Sequence, residues 1–273
     1  MGFWRSLIPR HVNNRLVLHV YDAWSFLTFF TGGELAKIEE ENITVLSGEE
    51  SPWHAGVASR QHTGEAGMQQ TGAEHPQHAG VGYRQCVDAG KPPYIENQKE
   101  WSSVKFGKTD MAFAGCEIMA VANALMALGN PMSAYEMAGL ITYFTAKGAV
   151  RGGRFGTSPL ALRTCINENG YPVITERVCT QEHLHELQEK AQVYIAVVYN
   201  DRDDIMAQIH TVCITRDGEG FTTHNRTGVP GADGQSTERT ESSLYEAVHS
   251  IRPKAKPICV FGIVDTCRYS TSS

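Results

Sequence analysis

Cys116 follows a glycine and opens an apolar, alanine-rich run, "GCEIMAVANALMALG" at 115–129, that reads as a helix. A thiol in the first turn of a helix feels the positive end of the backbone dipole, which favours the thiolate and hence nucleophilic attack. Such a nucleophile works with a base, and the base with a group that orients it. His210 opens one strand-like stretch and Asn225 closes the next, with Asp217 and Gly218 between them. Asp-Gly is the strongest short signal for a two-residue hairpin turn. With those two residues as the turn, Arg216 faces Glu219 and His210 faces Asn225. Opposed side chains on one face of a sheet are close enough for the Asn225 amide to fix the imidazole. Gln98 lies 18 residues before Cys116. Its side-chain amide and the Cys116 backbone N–H would make two donors for a developing oxyanion. Glu117 complements the helix dipole, but its charge also opposes ionisation of the neighbouring thiol. His224 is expected to point to the opposite face, and Asp217 belongs to the turn, so neither is assigned a role.

These residues need elements to carry them. The helix from Cys116 runs to about Leu128, where "GNP" ends it. Ser133 and Glu136 form a capping box for a second helix that stops at Gly148. Ser158 and Pro159 start a third, ended by "NENG" at 167–170, and Thr180 caps a fourth that reaches about Lys190. Beyond it the period changes from helical to alternating. Strands are predicted at 192–200, 210–216, 220–226 and 257–265, with a short helix at about 244–250 boxed by Ser243 and Glu246. Helices first and strands later give an α+β domain with an antiparallel sheet, over residues 90–273.

The remaining chain has a different composition. Residues 1–47 mix apolar and charged side chains and end in "ELAKIEEENITVL", which reads as a helix running into a short strand. Residues 48–89 form a Gly/His/Gln-rich linker that holds no Leu, Ile or Phe from Gly48 to Gln85, too little to offset its own ordering entropy. It contains "HAGVASRQ" and again "HAGVGYRQ", an octet too short for a solenoid unit. Its histidines, His54, His62, His75 and His78, show no metal-ligand spacing. With a net charge of −6 the chain has no basic footprint for nucleic acid. No apolar run approaches the roughly 18 residues needed to span a bilayer, and no secretory leader pattern is seen, so a cytoplasmic location is expected. The seven cysteines show no C-x-x-C pair, and Cys165, Cys213 and Cys259 read as reduced core thiols.

The order Gln, Gly-Cys at a helix head, His on a strand and Asn on the following strand resembles papain-like cysteine peptidases. The stretches "NQKEW", "AGCEIMAVANAL", "FGTSP" and "HTVCITRDGEGFTTHN", spanning about 94–265, resemble more closely the bacterial domains similar to bacteriocin-processing, double-glycine-cleaving peptidases. The resemblance implies a papain-like fold, a helical half packed on an antiparallel sheet. It implies hydrolysis of peptide amides with Cys116 as nucleophile, His210 as base, Asn225 as orienter and Gln98 in the oxyanion hole. No cofactor or metal is implied, and the partner is a peptide or protein substrate. Where such domains usually carry Gly-Cys-Gly-Pro, this chain has Gly-Cys-Glu-Ile. An acyltransferase or deamidase would use the same residues, and a non-catalytic binding module would keep the cleft, with residues 1–47 docking a partner. "TGGEL" at 31–35 raises self-processing after Gly33, or simply a turn between two elements. "RGGRFGTSP" at 151–159 lacks the Gly-Lys-Ser/Thr ending of a phosphate cradle and reads as a cleft wall or a tight connection.

Overall fold

The computed structural model describes residues 30–48, 51–52, 94–130, 132–150, 152–153, 156–202, 209–218, 220–226 and 240–265. The first helix, α1 (Gly32–Ser47), is capped by Thr31 and Glu34 in a reciprocal box. The short strand expected at its end is helical instead. Leu35, Ile38, Asn42, Val45 and Leu46 share one helical face; Leu46 is fully buried in the main core, and Asn42 clamps Lys105 through both its N–H and its carbonyl (2.8 and 2.9 Å). Packing of that face outweighs the β-branched run. Gly32 and Gly33, raised above as a processing site, lie in the first turn of α1. Most of the predicted linker, residues 53–89, lies outside the described residues, as do residues 1–29.

After a 3₁₀ turn (Gln98–Trp101) come a two-stranded ribbon, β1 (Lys105–Phe106) and β2 (Thr109–Asp110), and a one-turn helix, α2 (Met111–Ala114). Then follow α3 (Cys116–Ala127), α4 (Ala134–Lys147) and α5 (Pro159–Glu168), close to their predicted bounds. Ser133 and Glu136 form the expected capping box on α4. Next are β3 (Val173–Glu176), α6 (Gln181–Lys190), β4 (Val193–Tyr199), β5 (Ile209–Asp217), β6 (Gly220–His224), β7 (Thr240–Glu241), α7 (Leu244–His249) and β8 (Lys256–Ile263). The main sheet has six strands in the order β3-β8-β4-β5-β6-β7, and each adjacent pair is antiparallel. The class is therefore α+β.

β4 explains the layering. Every residue of "VYIAVVY" is buried, because both faces of the sheet are covered. Val193, Ile195, Val197 and Tyr199 join the core formed with α3, α4 and α5. Tyr194, Ala196 and Val198 join a second core with Leu184 and Leu187 of α6 and Leu244 and Val248 of α7. Ten of the twelve residues of α3 are buried, so this central helix is enclosed on all sides and its N-terminus is held against the sheet. Among the described residues no helix is long and apolar enough to cross a membrane.

The hairpin register differs from expectation. Asp217 pairs with Gly220 and Cys213 with His224, so the loop is residues 218–219 and Asn225 lies beyond the strand. Gly218 has a left-handed φ of +59°, and Asp217 stays in the ladder. A Cβ at position 220 would meet Thr240 Cγ2 of β7, the strand paired beside β6. The shift is two residues, and Asn225, past the strand end, meets His210 through its backbone carbonyl.

Candidate active site

Cys116 is the first residue of α3, half-buried, with Gly115 as N-cap. α2 and α3 meet so tightly here that a Cβ on Gly115 would lie 2.6 Å from the Met111 carbonyl and 2.8 Å from its sulfur. This contact is the physical reason for glycine before the thiol. The start of β5 lies against the helix head. The N–H and hydroxyl of Thr211 sit beside the thiol and favour its charged form, although the hydroxyl makes no regular hydrogen bond.

The other three predicted residues are joined through Asn225, which is fully buried. The Gln98 backbone N–H donates to Asn225 Oδ1 (3.1 Å), and Asn225 Nδ2 donates to Gln98 Oε1 (3.3 Å). Gln98 Nε2 donates to the Ala112 carbonyl (3.0 Å), which places the amide on the turn leading into Cys116. His210 Nε2 meets the Asn225 backbone carbonyl at 3.1 Å. The expectation that the Asn225 side chain orients the imidazole is thus corrected: the amide is spent on Gln98, and the carbonyl faces the ring. A carbonyl only accepts, so Nε2 carries the hydrogen and Nδ1 keeps a lone pair. No described hydrogen bond joins the Cys116 thiol to the His210 ring; Thr211, the next residue, makes the approach.

Asn225 is also the one described non-glycine residue with positive φ, at +59°. Asparagine tolerates that region better than other side chains, and its four polar atoms hold it there. Asn225→Ala is expected to lose about 3 kcal/mol of stability, from two stranded Gln98 groups plus backbone strain. Urea denaturation measures this, and an unchanged midpoint would reduce the side chain to a bystander.

The expected thiolate is corrected too. Burial, and secondarily the Glu117 charge, pushes the Cys116 thiol up to about 11, against the pull of Thr211. Burial, and then the positive charge of Arg252, brings His210 down to about 4, against the Asn225 carbonyl. The helix dipole does not overcome desolvation, and at neutral pH the site holds a neutral thiol and a neutral imidazole. Glu117 is 1% exposed and burial raises it to about 8, despite the Thr157 hydroxyl and Leu162 N–H beside it. Its Oε1 has no hydrogen-bond partner.

Two groups had no role in the sequence reading. Glu96 accepts from the Asn225 N–H through Oε2 (3.1 Å) and meets His224 Nδ1 through Oε1 (2.6 Å). His224, 2% exposed, contacts Thr215 Oγ1 through Nε2 (2.8 Å) and lies against the Tyr94 ring, 3.9 Å between centroids. The spacing of Glu96 and Gln98, set against adjacent His224 and Asn225, is the faint signal that these segments pair. Nothing in "SIRPKAK" marks Arg252. Among the described residues no group of three His, Cys, Asp or Glu side chains is placed to hold a metal ion. Compared with models of protein families, with curated proteins and with solved structures, the chain matches none.

Proposed function

We propose that the chain is a papain-like cysteine peptidase that hydrolyses peptide amides at Cys116. The observation that carries this reading is the hydrogen-bonded chain Gln98–Asn225–His210, together with Thr211, the neighbour of His210, beside a thiol at a helix head. Cys116 Sγ attacks the amide carbonyl carbon while His210 Nδ1 takes the thiol proton as the carbon–sulfur bond forms. A neutral imidazole accepts that proton, so an acidity of about 4 keeps His210 available as base at neutral pH. The Cys116 N–H and the Gln98 amide hold the oxyanion. Collapse breaks the carbon–nitrogen bond, and His210 returns its proton to the departing amine. Water, deprotonated by His210, attacks the thioester; the carbon–sulfur bond breaks and the thiolate recovers the proton.

Alkylation tests this without a known substrate. Limiting iodoacetamide at pH 7, followed by peptide mapping, is expected to mark Cys116 faster than Cys179, the other half-buried described thiol, which burial pushes up to about 12. His210→Ala is expected to erase that preference. If Cys116 labels no faster than Cys179, the catalytic reading gives way to a non-catalytic binding cleft.

A further inference from the structure

We propose that Glu96 is a positioning residue of this site. It holds the Asn225 backbone so that the Asn225 carbonyl keeps the His210 hydrogen on Nε2; the proposal rests on the Cys116–His210 reading above. Asn225 has a left-handed backbone, with φ at +59°. That geometry aims the peptide units on either side of the residue in fixed directions, and it persists only where the surroundings hold it. The Asn225 carbonyl is the group that meets the imidazole, and the Asn225 N–H on the same residue donates to Glu96 Oε2. Turning the residue out of its left-handed well therefore breaks both contacts together.

Glu96 is suited to this task because it is itself held. A carboxylate only accepts, so the contact at 2.6 Å places the hydrogen of His224 on Nδ1. His224 is fixed in turn by Thr215 Oγ1 at its other nitrogen and by the Tyr94 ring against its face. The two carboxylate oxygens serve two different donors, Asn225 N–H and His224 Nδ1–H. Glutamine has one oxygen acceptor and cannot serve both. Beside Asn225 there is thus a second acid–imidazole pair, and it sets the direction of the carbonyl that orders the base. Loss of this support frees His210 to carry its hydrogen on Nδ1. That tautomer presents no lone pair to the thiol.

The test reads the His210 tautomer by ¹⁵N NMR in the full chain near pH 7, without substrate. Kinetics are measured beside it on a peptidyl amide ending in Gly-Gly-aminomethylcoumarin. Wild type is expected to show His210 with its hydrogen on Nε2. Glu96→Ala is expected to give a tautomer mixture and to lower kcat about 10- to 100-fold, with KM changed less than about 3-fold. Glu96→Gln falls between them, and Glu96→Asp restores part of the loss. A Glu96→Ala protein with wild-type tautomer and kcat within about 2-fold overturns the proposal. If that variant does not fold, the near-isosteric Glu96→Gln decides by the same two readings. If Cys116→Ala proves as active as wild type, the peptidase reading falls, and the substrate-free tautomer measurement still judges Glu96.

Discussion

Replacing Cys116 with alanine is expected to lower kcat/KM on a Gly-Gly-aminomethylcoumarin peptide at least about 1,000-fold. Every covalent step of the proposed reaction runs through its sulfur, and no other described thiol can stand in. Cys165, Cys213 and Cys259 are buried, Cys179 is half-buried in the segment between β3 and α6, and desolvation pushes each of these thiols upward. Cys116→Ser keeps the geometry but offers a much weaker acid, so it is expected to be as inactive as the alanine variant. The fold should tolerate either change, because the side chain is half-buried at the first position of α3 rather than in its enclosed middle. Matching circular dichroism and a small change in melting temperature would confirm that activity was lost by chemistry. Hydrolysis at the parental rate by Cys116→Ala would end the proposal.

The elements around this site were legible because their signals are local. Gly-Cys before an apolar run marks the head of α3, Ser133 with Glu136 marks α4, and alternating apolar runs mark β4, β5 and β8. The hairpin was legible but its register was not. Asp-Gly marks a turn, but it does not say whether Asp217 stays in the ladder, and here Asp217 pairs with Gly220. The partners of Asn225 were hidden too. Gln98 and Glu96 lie 127 and 129 residues away along the chain. His224 was expected to point away from His210, and it contacts Glu96, Thr215 and Tyr94. The thiolate expected at Cys116 failed on magnitude. The dipole at a helix start contributes about 1 kcal/mol, and desolvation of the half-buried thiol together with the Glu117 charge outweighs it.

Glu117→Gln is expected to make the protein more stable at pH 9 by about 5 kcal/mol relative to wild type, and to change it little near pH 4.5. Burial raises this carboxyl from the usual 4.5 to about 8. A group whose folded value is raised contributes its full share below its unfolded value, and that share is lost as pH rises. The window here is 4.5 to about 8, and above it the folded chain holds a buried carboxylate whose Oε1 has no partner. Glutamine has nearly the same shape and never ionises. His210 works in the opposite direction. Its lowered value of about 4 gives stability that is present above 6.5 and lost as pH falls through 4, equally in both proteins. Urea denaturation of the two proteins at pH 5 and pH 9 isolates Glu117, and equal differences at both pH values would sink the assignment. Activity should follow the same group. The Glu117 charge opposes negative charge on Cys116, as its upward pull on the thiol shows, and the oxyanion beside it is opposed in the same way. Wild-type kcat/KM is therefore expected to rise with pH through about 4, as His210 becomes a base, and to fall above about 8. In Glu117→Gln the acid limb remains and the fall near pH 8 disappears, because the carboxyl that ionises there has been removed from beside the nucleophile.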